Sequence, residues 1–299
     1  VMIIVKLWGG MCNQMFQYAF GFALSKKVND DVAFETAFFD NQPSFVGKRK
    51  IISADYFNVS KLNFCSRPLF AKYFENKYIN RLFRYTTGCS FSFIADFNMV
   101  IEKHLHFYTD IPYKKGVVNY YDGYWQSGRY FQEYRNEILA EFAPPAHILK
   151  LVNEWKSNLN STKTVAVHIR RGDYLNKINQ INSALYKIKN DISYYLRAMD
   201  YMVEKLGEPK FCLFSDDIEW CKSVLGTKYK DIIFVQNKGV DAALLDLYSI
   251  SKCEHGIMSP SSFSWWGNWL RCNNPNGIVI CPKGIIGNEA FVDNKWVRL

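Results

Sequence analysis

The stretch TVAVHIRRGDYL, residues 164–175, joins a run of small and β-branched apolar residues to two adjacent arginines and an aspartate. β-branched residues favour strands, and a continuous apolar run is typical of a strand buried on both faces. The charged residues then follow at the carboxyl end of that strand. Because side chains alternate along a strand, at most one of Arg170 and Arg171 reaches a ligand, while the other packs or pairs, for instance with Asp173.

Downstream of this strand the chain alternates between short apolar runs and segments with helical periodicity. We predict further strands in KFCLFS, DIIFVQ, HGIMS and GIVICP, residues 210–215, 231–236, 255–259 and 277–282. Short strands separated by helices indicate a parallel sheet covered on both faces. Ligands of such sheets bind beyond the carboxyl ends of the strands, so the residues that follow each strand are the candidate site.

The first part of the chain opens in the same way. MIIVKLW (2–8) predicts a strand, GGMCNQ a loop, and the apolar spacing over residues 13–28 a buried helix. VAFETAFF (32–39) and GVVNYYDGYWQS (116–127) predict two more strands, the second running into a polar turn before a helix that extends to about Phe142. Residues 43–115 lack a clean period and indicate mixed, mainly helical connections.

The segment APPA, residues 143–146, marks the division of the chain, since neither proline continues a helix. A chain of 299 residues fits two domains. We therefore predict an N-terminal α/β domain over 1–145 and a C-terminal Rossmann-like α/β domain over 146–299.

The net charge of +9 is spread along the chain rather than gathered in a basic tail. It fits anionic ligands, an anionic membrane surface, or simply a solvated basic surface. An RNA-binding protein is an alternative that would use the aromatic residues, but neither a ribonucleoprotein motif nor a clustered basic face occurs, so we expect no nucleic-acid partner.

The eight cysteines include no C-x-x-C pair, which argues against zinc sites and a disulfide scaffold. Cys212 and Cys281 lie in apolar runs and are typical of buried thiols in a reducing compartment. The first apolar run is interrupted by Lys6 and by glycines, so we expect no signal peptide, and no run of about 18 apolar residues occurs in the sequence. We expect a cytoplasmic protein, at most peripheral to the inner membrane.

Two of the predicted strands end in groups suited to a nucleotide. The run SPSSFS offers the hydroxyls of Ser261 and Ser262 and backbone N–H groups at a helix N-terminus, which is a ready phosphate site. Asp216 and Asp217 in SDD suit ribose hydroxyls or the N–H edge of a purine, guanine best of all. The alternative in both cases is a helix cap. D-x-D, a metal-binding pattern, does not occur in the chain.

Arg170 can make charge-assisted, bidentate bonds to a diphosphate and stabilise its charge as it leaves. The alternative is a structural Arg–Asp pair with a capping histidine. The loop GGMCNQ lacks the dinucleotide-binding and P-loop patterns, but Asn13 and Gln14 can hydrogen-bond to a sugar.

Taken in order, the blocks GGMCNQMFQYAFGFAL, DGYWQS, HIRRGDY, SDDIEWCK and SSFSWWGNWL resemble the bacterial α-1,2-fucosyltransferases of glycosyltransferase family eleven. They span residues 9–270, and Cys12 departs from the glycine of the family pattern. The resemblance implies a GT-B fold of two Rossmann-like α/β domains facing across a cleft, the N-terminal one on the acceptor side. It also implies GDP-fucose as donor, a galactose-terminated acceptor, inversion at the fucose anomeric carbon, and no cofactor or metal requirement.

The resemblance further implies roles for individual residues. It assigns to the donor Asn13, Gln14, His168, Arg170, Asp216 or Asp217, Ser261, Ser262 and Phe263. Asp173 is the natural candidate for a general base, with the orientation of an arginine as the alternative. Trp125 can stack on the acceptor sugar, and core packing explains it equally well. A transferase for another GDP-sugar and a non-catalytic GDP-sugar-binding module are the alternative functions, and the acceptor and oligomeric state stay open.

Overall fold

A computed structural model describes residues 2–40, 42, 49–53, 55–68, 90–94, 97–103, 107–171, 192–271, 276–283 and 289–299. The chain divides into two compact units, Val1–Ala143 and Pro144–Leu299. The division falls within the two-proline segment, where proline's fixed φ and missing N–H group prevent a helix from continuing.

The first unit is a six-stranded sheet with helices. Its elements are β1 (Met2–Lys6), α1 (Met11–Val28), β2 (Asp31–Glu35), β3 (Phe64–Cys65), β4 (Ser90–Ile94), β5 (Phe97–Ile101), β6 (Val118–Asp122) and α2 (Arg135–Glu141). The strand order is β3-β2-β1-β6-β5-β4, and only the β4–β5 pairing is antiparallel. α1 is buried along most of its length, as its apolar spacing predicts, and ends at Asn29 in the left-handed conformation.

The structure corrects one expectation for the first unit. The strand predicted over 32–39 ends at Glu35, because the Glu35 carboxylate accepts a hydrogen bond from the Ala37 N–H and the chain turns into a 3₁₀ helix, Ala37–Phe39. Much of 43–115 lies outside the described residues, and its described parts contribute three strands that were not predicted. β5 is buried and pairs in parallel with β6, so this segment completes the sheet.

The second unit alternates strand and helix as predicted. Its elements are α3 (Ala146–Asn158), β7 (Thr164–Ile169), α4 (Ile192–Leu206), β8 (Lys210–Ser215), α5 (Ile218–Leu225), β9 (Ile232–Val235), α6 (Ala242–Lys252), β10 (His255–Ile257), α7 (Ser262–Trp269), β11 (Val279–Cys281) and β12 (Val297–Arg298). The strand order is β12-β11-β10-β7-β8-β9, and all five pairings are parallel. α3 and β12 are additions to the predicted pattern.

Both faces of the second sheet are buried, as the continuous apolar runs predict. Val165, Val167 and Ile169 of β7 pack with α4 on one face. Ala166 faces the other side, where the core includes the thiols of Cys212 and Cys253. Among the ranges given above, no helix is long and apolar enough to cross a bilayer.

The strand order of each sheet reverses next to its first strand. In the second unit β7 lies between β8 and β10, and in the first unit β1 lies between β2 and β6. Crossovers on the two sides of such a point lead to opposite faces and leave a crevice at the carboxyl ends of the strands. The loops after β7 and β10, and those after β1 and β6, are therefore the positions where ligands of this fold bind.

Candidate functional site

His168 lies at the reversal point of the second sheet, one residue before the end of β7. Its side chain is only 6% exposed, and its ring centroid is 5.2 Å from that of Phe263. Burial, with a smaller contribution from the nearby Arg170 charge, lowers the pKa of His168 to about 3. Within the part of the chain that the structure describes, its Nδ1 atom has no hydrogen-bond partner. His168 is therefore a neutral imidazole whose Nδ1 atom is not bonded by any residue that the structure describes.

The two arginines after β7 have different surroundings. The Arg170 Nη1 lies 3.1 Å from Asp216 Oδ2, and this side chain is about one-third exposed. The Arg171 guanidinium lies over the Trp220 ring, 3.6 Å from its centroid, and its Nη1 is 3.3 Å from Asp217 Oδ2. Arg171 thus packs against α5, and Arg170 is the arginine with exposed surface at the strand end.

Asp216 and Asp217 both hold arginines. The Asp216 carboxylate accepts from the Arg171 backbone N–H at 2.8 Å as well as from Arg170. Asp217 caps α5 by accepting from the Trp220 N–H at 3.3 Å. Asp217 therefore has the capping function weighed as an alternative, and Asp216 orients Arg170. A contact of either carboxylate with a nucleotide stays a prediction.

Ser261 and Ser262 lie at the start of α7, beside the end of β7. The Ser261 side chain makes no capping hydrogen bond to any residue that the structure describes, so the alternative that it merely caps the helix is not what is observed. The loop is instead held from inside the helix, since the Ser264 Oγ accepts from the buried Ser259 N–H at 3.0 Å. Ser261, Ser262 and Phe263 are half-buried, which leaves the helix N-terminus accessible to an anion.

Asp246 of α6 is a candidate that sequence reasoning missed. Its carboxylate accepts from Asn237 Nδ2 at 2.8 Å, and Asn237 follows β9 at the carboxyl edge of the sheet. Burial raises the pKa of Asp246 to about 6. The sequence does indicate this residue, because Asp246 stands between two leucines in a helix with a buried face. A partly buried carboxylate needs a polar partner or a ligand.

The loops after β1 and β6 meet at the reversal point of the first sheet. Asn13 is half-buried, and its Oδ1 accepts from Gln126 Nε2 at 2.9 Å. The tight turn before α1 is made at Gly9, whose φ of +82° suits glycine. Cys12 is buried within the first turn of the helix, so the departure from the family's glycine falls outside that turn.

The prediction that Gln14 contacts the donor is wrong in this structure. Its side chain is fully buried, donating to the carbonyls of Gly9 and Lys50 and accepting from the Ile52 N–H at 2.8 Å. Gln14 faces inward on α1, where it fixes the chain around residues 50–52. Its amide has no exposed surface for a sugar.

The burial of Trp125 likewise contradicts its prediction as an acceptor contact. The indole is 0% exposed and stacks on Phe20 with ring centroids 4.2 Å apart. Tyr121 and Tyr130 pack edge-on against it. The core-packing alternative is therefore the correct interpretation. Asp173, the candidate base, lies outside the described residues.

No group of three or more metal-ligating side chains occurs within the described ranges. Metal independence of the reaction stays a prediction.

Comparison with known proteins identifies relatives over the full length of the chain. A sequence model of glycosyl transferase family 11 matches residues 2–293. An alpha-1,2-colitosyltransferase of Escherichia coli is 32% identical, covering 99% of this chain and 98% of the relative. A galactoside alpha-(1,2)-fucosyltransferase 2 of Gorilla gorilla gorilla is 24% identical, covering 73% of this chain and 64% of the relative.

Two solved structures share the fold at low sequence identity. NodZ alpha-1,6-fucosyltransferase soaked with GDP-fucose gives a TM-score of 0.55 at 12% identity, over 90% of this chain and 92% of that one. POFUT1 in complex with GDP gives a TM-score of 0.54 at 12% identity, covering 94% of this chain and 97% of that one. The predicted GT-B-like α/β fold class is confirmed. Since the family model spans nearly the whole sequence, the resemblance of the five motifs is confirmed as well, and the chain belongs to glycosyl transferase family 11.

Proposed function

We propose that this glycosyltransferase moves L-fucose from GDP-fucose to the 2-hydroxyl of a terminal galactose, with inversion, to form an α-1,2 linkage. One observation carries the proposal. Arg170, the buried neutral His168 and the N-terminus of α7 converge on the reversal point of the second sheet. This combination suits a diphosphate, and α-1,2 transfer is the activity that names both relatives described above.

The donor would bind along the carboxyl edge of the second sheet. The diphosphate accepts from the Ser262 backbone N–H, from the hydroxyls of Ser261 and Ser262 and from the Arg170 guanidinium. The Ser261 N–H is already used, since it donates to the Ser259 carbonyl at 2.8 Å. The Phe263 ring, which packs against the His168 imidazole, provides an apolar surface beside it. The guanine N–H edge needs a carboxylate, for which Asp246 is a candidate beside Asp216 and Asp217, whose oxygens already accept from arginines.

The chemical step would be a direct displacement at the anomeric carbon. The galactose O2 forms a bond to fucose C1 while the bond from C1 to the β-phosphate oxygen breaks, and its electron pair leaves with GDP. Arg170 and the α7 N-terminus stabilise the negative charge that grows on the leaving group. The proton of the 2-hydroxyl passes to a base or to solvent. Asp173 is the proposed base, and an oxocarbenium-like transition state would ask little of it.

Colitose transfer is the second candidate, and one specific observation favours it. The relative that is 32% identical over 99% of this chain is a colitosyltransferase. Colitose is fucose without its 3-hydroxyl, so one donor site can accept both sugars unless a polar group recognises that hydroxyl. A hydrogen bond to the 3-hydroxyl would make the site reject the deoxy sugar strongly.

The test is a donor competition with product analysis. The purified chain is incubated with GDP-fucose, GDP-colitose or GDP-mannose and a panel of lactose and type 1 and type 2 galactosides, and GDP release is followed. The linkage of the product is determined by NMR. We expect an α-1,2-fucosylated galactoside, and Arg170→Ala to form almost none. A preference for GDP-colitose would support the second candidate, and no GDP release with any pair would indicate a non-catalytic binding module.

A further inference from the structure

Two half-buried aromatic residues, Trp8 and Tyr124, stack at the reversal point of the first sheet, and Phe38 packs edge-on against Trp8. Trp8 follows β1 and Tyr124 follows β6, and these strands are neighbours at the position where the strand order reverses. The ring centroids are 3.9 Å apart and the planes lie 24° from parallel. Both residues are half-buried, unlike the fully buried Trp125 beside them. We refer to them as the Trp8–Tyr124 pair.

Buried polar groups hold the Trp8 side of the pair in place. The Trp8 indole N–H donates to the Gly123 carbonyl at 3.2 Å, and the Trp8 backbone N–H donates to Gln17 Oε1 at 3.0 Å. The same Gln17 donates through Nε2 to the Gly123 carbonyl, so a single buried amide links the two loops. The ring therefore keeps one orientation rather than moving as a surface side chain.

The Tyr124 side is held by a buried carboxylate. Glu102 accepts from the Tyr124 N–H at 2.6 Å and from the Trp125 N–H at 3.1 Å. These bonds support Trp125 at a φ of +55°, which is uncommon for a residue with a bulky side chain. Gly123 allows the Glu102 side chain to lie against the backbone of this loop, because a Cβ at residue 123 would be only 2.5 Å from the Glu102 Cβ. Backbone strain of this kind is frequent at functional sites.

Next to the rings lies a polar pair suited to hydroxyl groups. Gln126 Nε2 donates to Asn13 Oδ1, and both residues are half-buried. An aromatic surface beside an amide pair is the combination that recognises a pyranose, whose axial and equatorial C–H groups form an apolar patch bordered by hydroxyls. Galactose has such a patch, because its axial 4-hydroxyl leaves the C–H groups of C3, C4 and C5 on one face.

We propose that the Trp8–Tyr124 pair binds the acceptor, with the galactose or the sugar attached to it stacking on the exposed ring surface. This assignment rests on the proposed function in taking a galactoside as the ligand. It replaces Trp125, whose ring is inside the core, and identifies Trp8 and Tyr124 as residues that determine acceptor specificity.

Tyr124→Leu tests the proposal because it removes the ring and keeps the backbone N–H that Glu102 holds. We expect the acceptor KM to rise about three- to tenfold, the usual range for one aromatic contact, and the GDP-fucose KM to stay within twofold. Trp8→Leu should act in the same direction. Tyr124→Phe keeps the ring, so its acceptor KM should equal that of the wild type.

Tyr113→Leu is the matched control. Tyr113 is also half-buried, but its hydroxyl donates to Asp30, which directly precedes β2. Tyr113 therefore lies at the amino ends of the strands, on the side of the sheet away from the Trp8–Tyr124 pair. Saturation-transfer NMR with lactose, in the presence of GDP, gives a readout that does not depend on turnover. If the proposed function fails and no sugar is transferred, loss of the lactose signal in Tyr124→Leu but not in Tyr113→Leu still supports the acceptor site. An unchanged acceptor KM and an unchanged lactose signal in Tyr124→Leu, or an equal loss in Tyr113→Leu, would overturn it.

Discussion

Two adjacent arginines have separate functions because a strand directs consecutive side chains to opposite faces. Arg171 lies over Trp220 and beside Asp217, so its guanidinium contributes to the packing of α5. Arg170 is positioned by Asp216 and keeps about a third of its side chain exposed. A carboxylate that orients an arginine lowers the entropy cost of binding a diphosphate, because the guanidinium loses less freedom when the ligand binds.

Replacing Arg170 by Ala should lower kcat/KM by about 100- to 1000-fold, the typical cost of removing one charge-stabilising donor from a transition state. The melting temperature should change little, because the side chain is partly exposed. Arg170→Lys keeps the charge without the bidentate geometry and should restore only part of the rate. Arg197→Ala, an exposed arginine of α4 that donates to Ser193, is the matched control. Activity of Arg170→Ala within threefold of wild type would contradict the donor-site assignment.

His168 should make the folded chain sensitive to acid. Its pKa is about 3 in the folded state, against about 6.5 for an unfolded histidine. Between these values the unfolded state binds the extra proton, so stability is complete above pH 6.5 and falls as the pH drops. From pH 7 to pH 5 the wild type should lose about 2 kcal/mol more unfolding free energy than His168→Gln.

Urea denaturation at the two pH values measures this difference. The same substitution at His147, whose side chain is 60% exposed, is the matched control. Parallel pH profiles for wild type and His168→Gln would contradict the prediction, because they would show that folding does not lower the pKa of His168.

At the scale of elements, the spacing of apolar residues predicts a helix or strand correctly where the buried face of that element repeats regularly. The strand predicted from KFCLFS has the observed bounds of β8. Prediction fails where a side chain changes the path of the backbone, as Glu35 does by ending β2 two residues before the 3₁₀ helix. β5 was missed because it is stabilised by pairing with β6, which comes later in the sequence. The spacing of apolar residues within one segment gives no information about such a partner.

Two hydrogen bonds hold the loop before α7, from the Ser261 N–H to the Ser259 carbonyl and from the Ser259 N–H to the Ser264 Oγ. Only the second uses a side chain that a substitution can remove. Ser259 and Ser264 are both fully buried, so Ser264→Ala leaves an unsatisfied N–H and should cost about 1–3 kcal/mol of stability. If about 1 kcal/mol of that loss reaches the site, the Kd for GDP rises roughly fivefold. Calorimetry with GDP and thermal unfolding measure both effects.

Ser251→Ala is the control for this prediction, since Ser251 is a buried serine that donates to the Tyr248 carbonyl within α6. Its GDP affinity should equal that of the wild type. Equal GDP affinity in Ser264→Ala would mean that the loop before α7 does not form the phosphate site.

At the scale of the whole molecule, the rule that ligands lie beyond strand ends predicted where the site residues gather. His168, Arg170 and Ser261 follow or end neighbouring strands, and the reversed strand order brings them together. The rule does not report the direction of a side chain. Gln14 lies in the first turn of α1 and Trp125 in the loop after β6, close to the predicted positions, but both side chains point into the core. Trp125 does so at a left-handed φ. Asp246 was missed because it lies on a helix rather than directly after a strand.

The molecule is expected to neutralise the diphosphate of its donor without a metal ion. The sequence has no D-x-D, its net charge is +9, and the candidate site offers a guanidinium and a helix N-terminus where metal-dependent transferases use a bridging cation. We therefore expect the initial rate with GDP-fucose in excess EDTA to equal the rate with added Mn²⁺ within twofold. The rate should also fall as salt is raised, because an unbridged diphosphate is bound by protein charges that salt screens. A rate that disappears in EDTA and returns with Mn²⁺ would require a cation at the diphosphate, and Arg170 would then be its neighbour rather than its replacement.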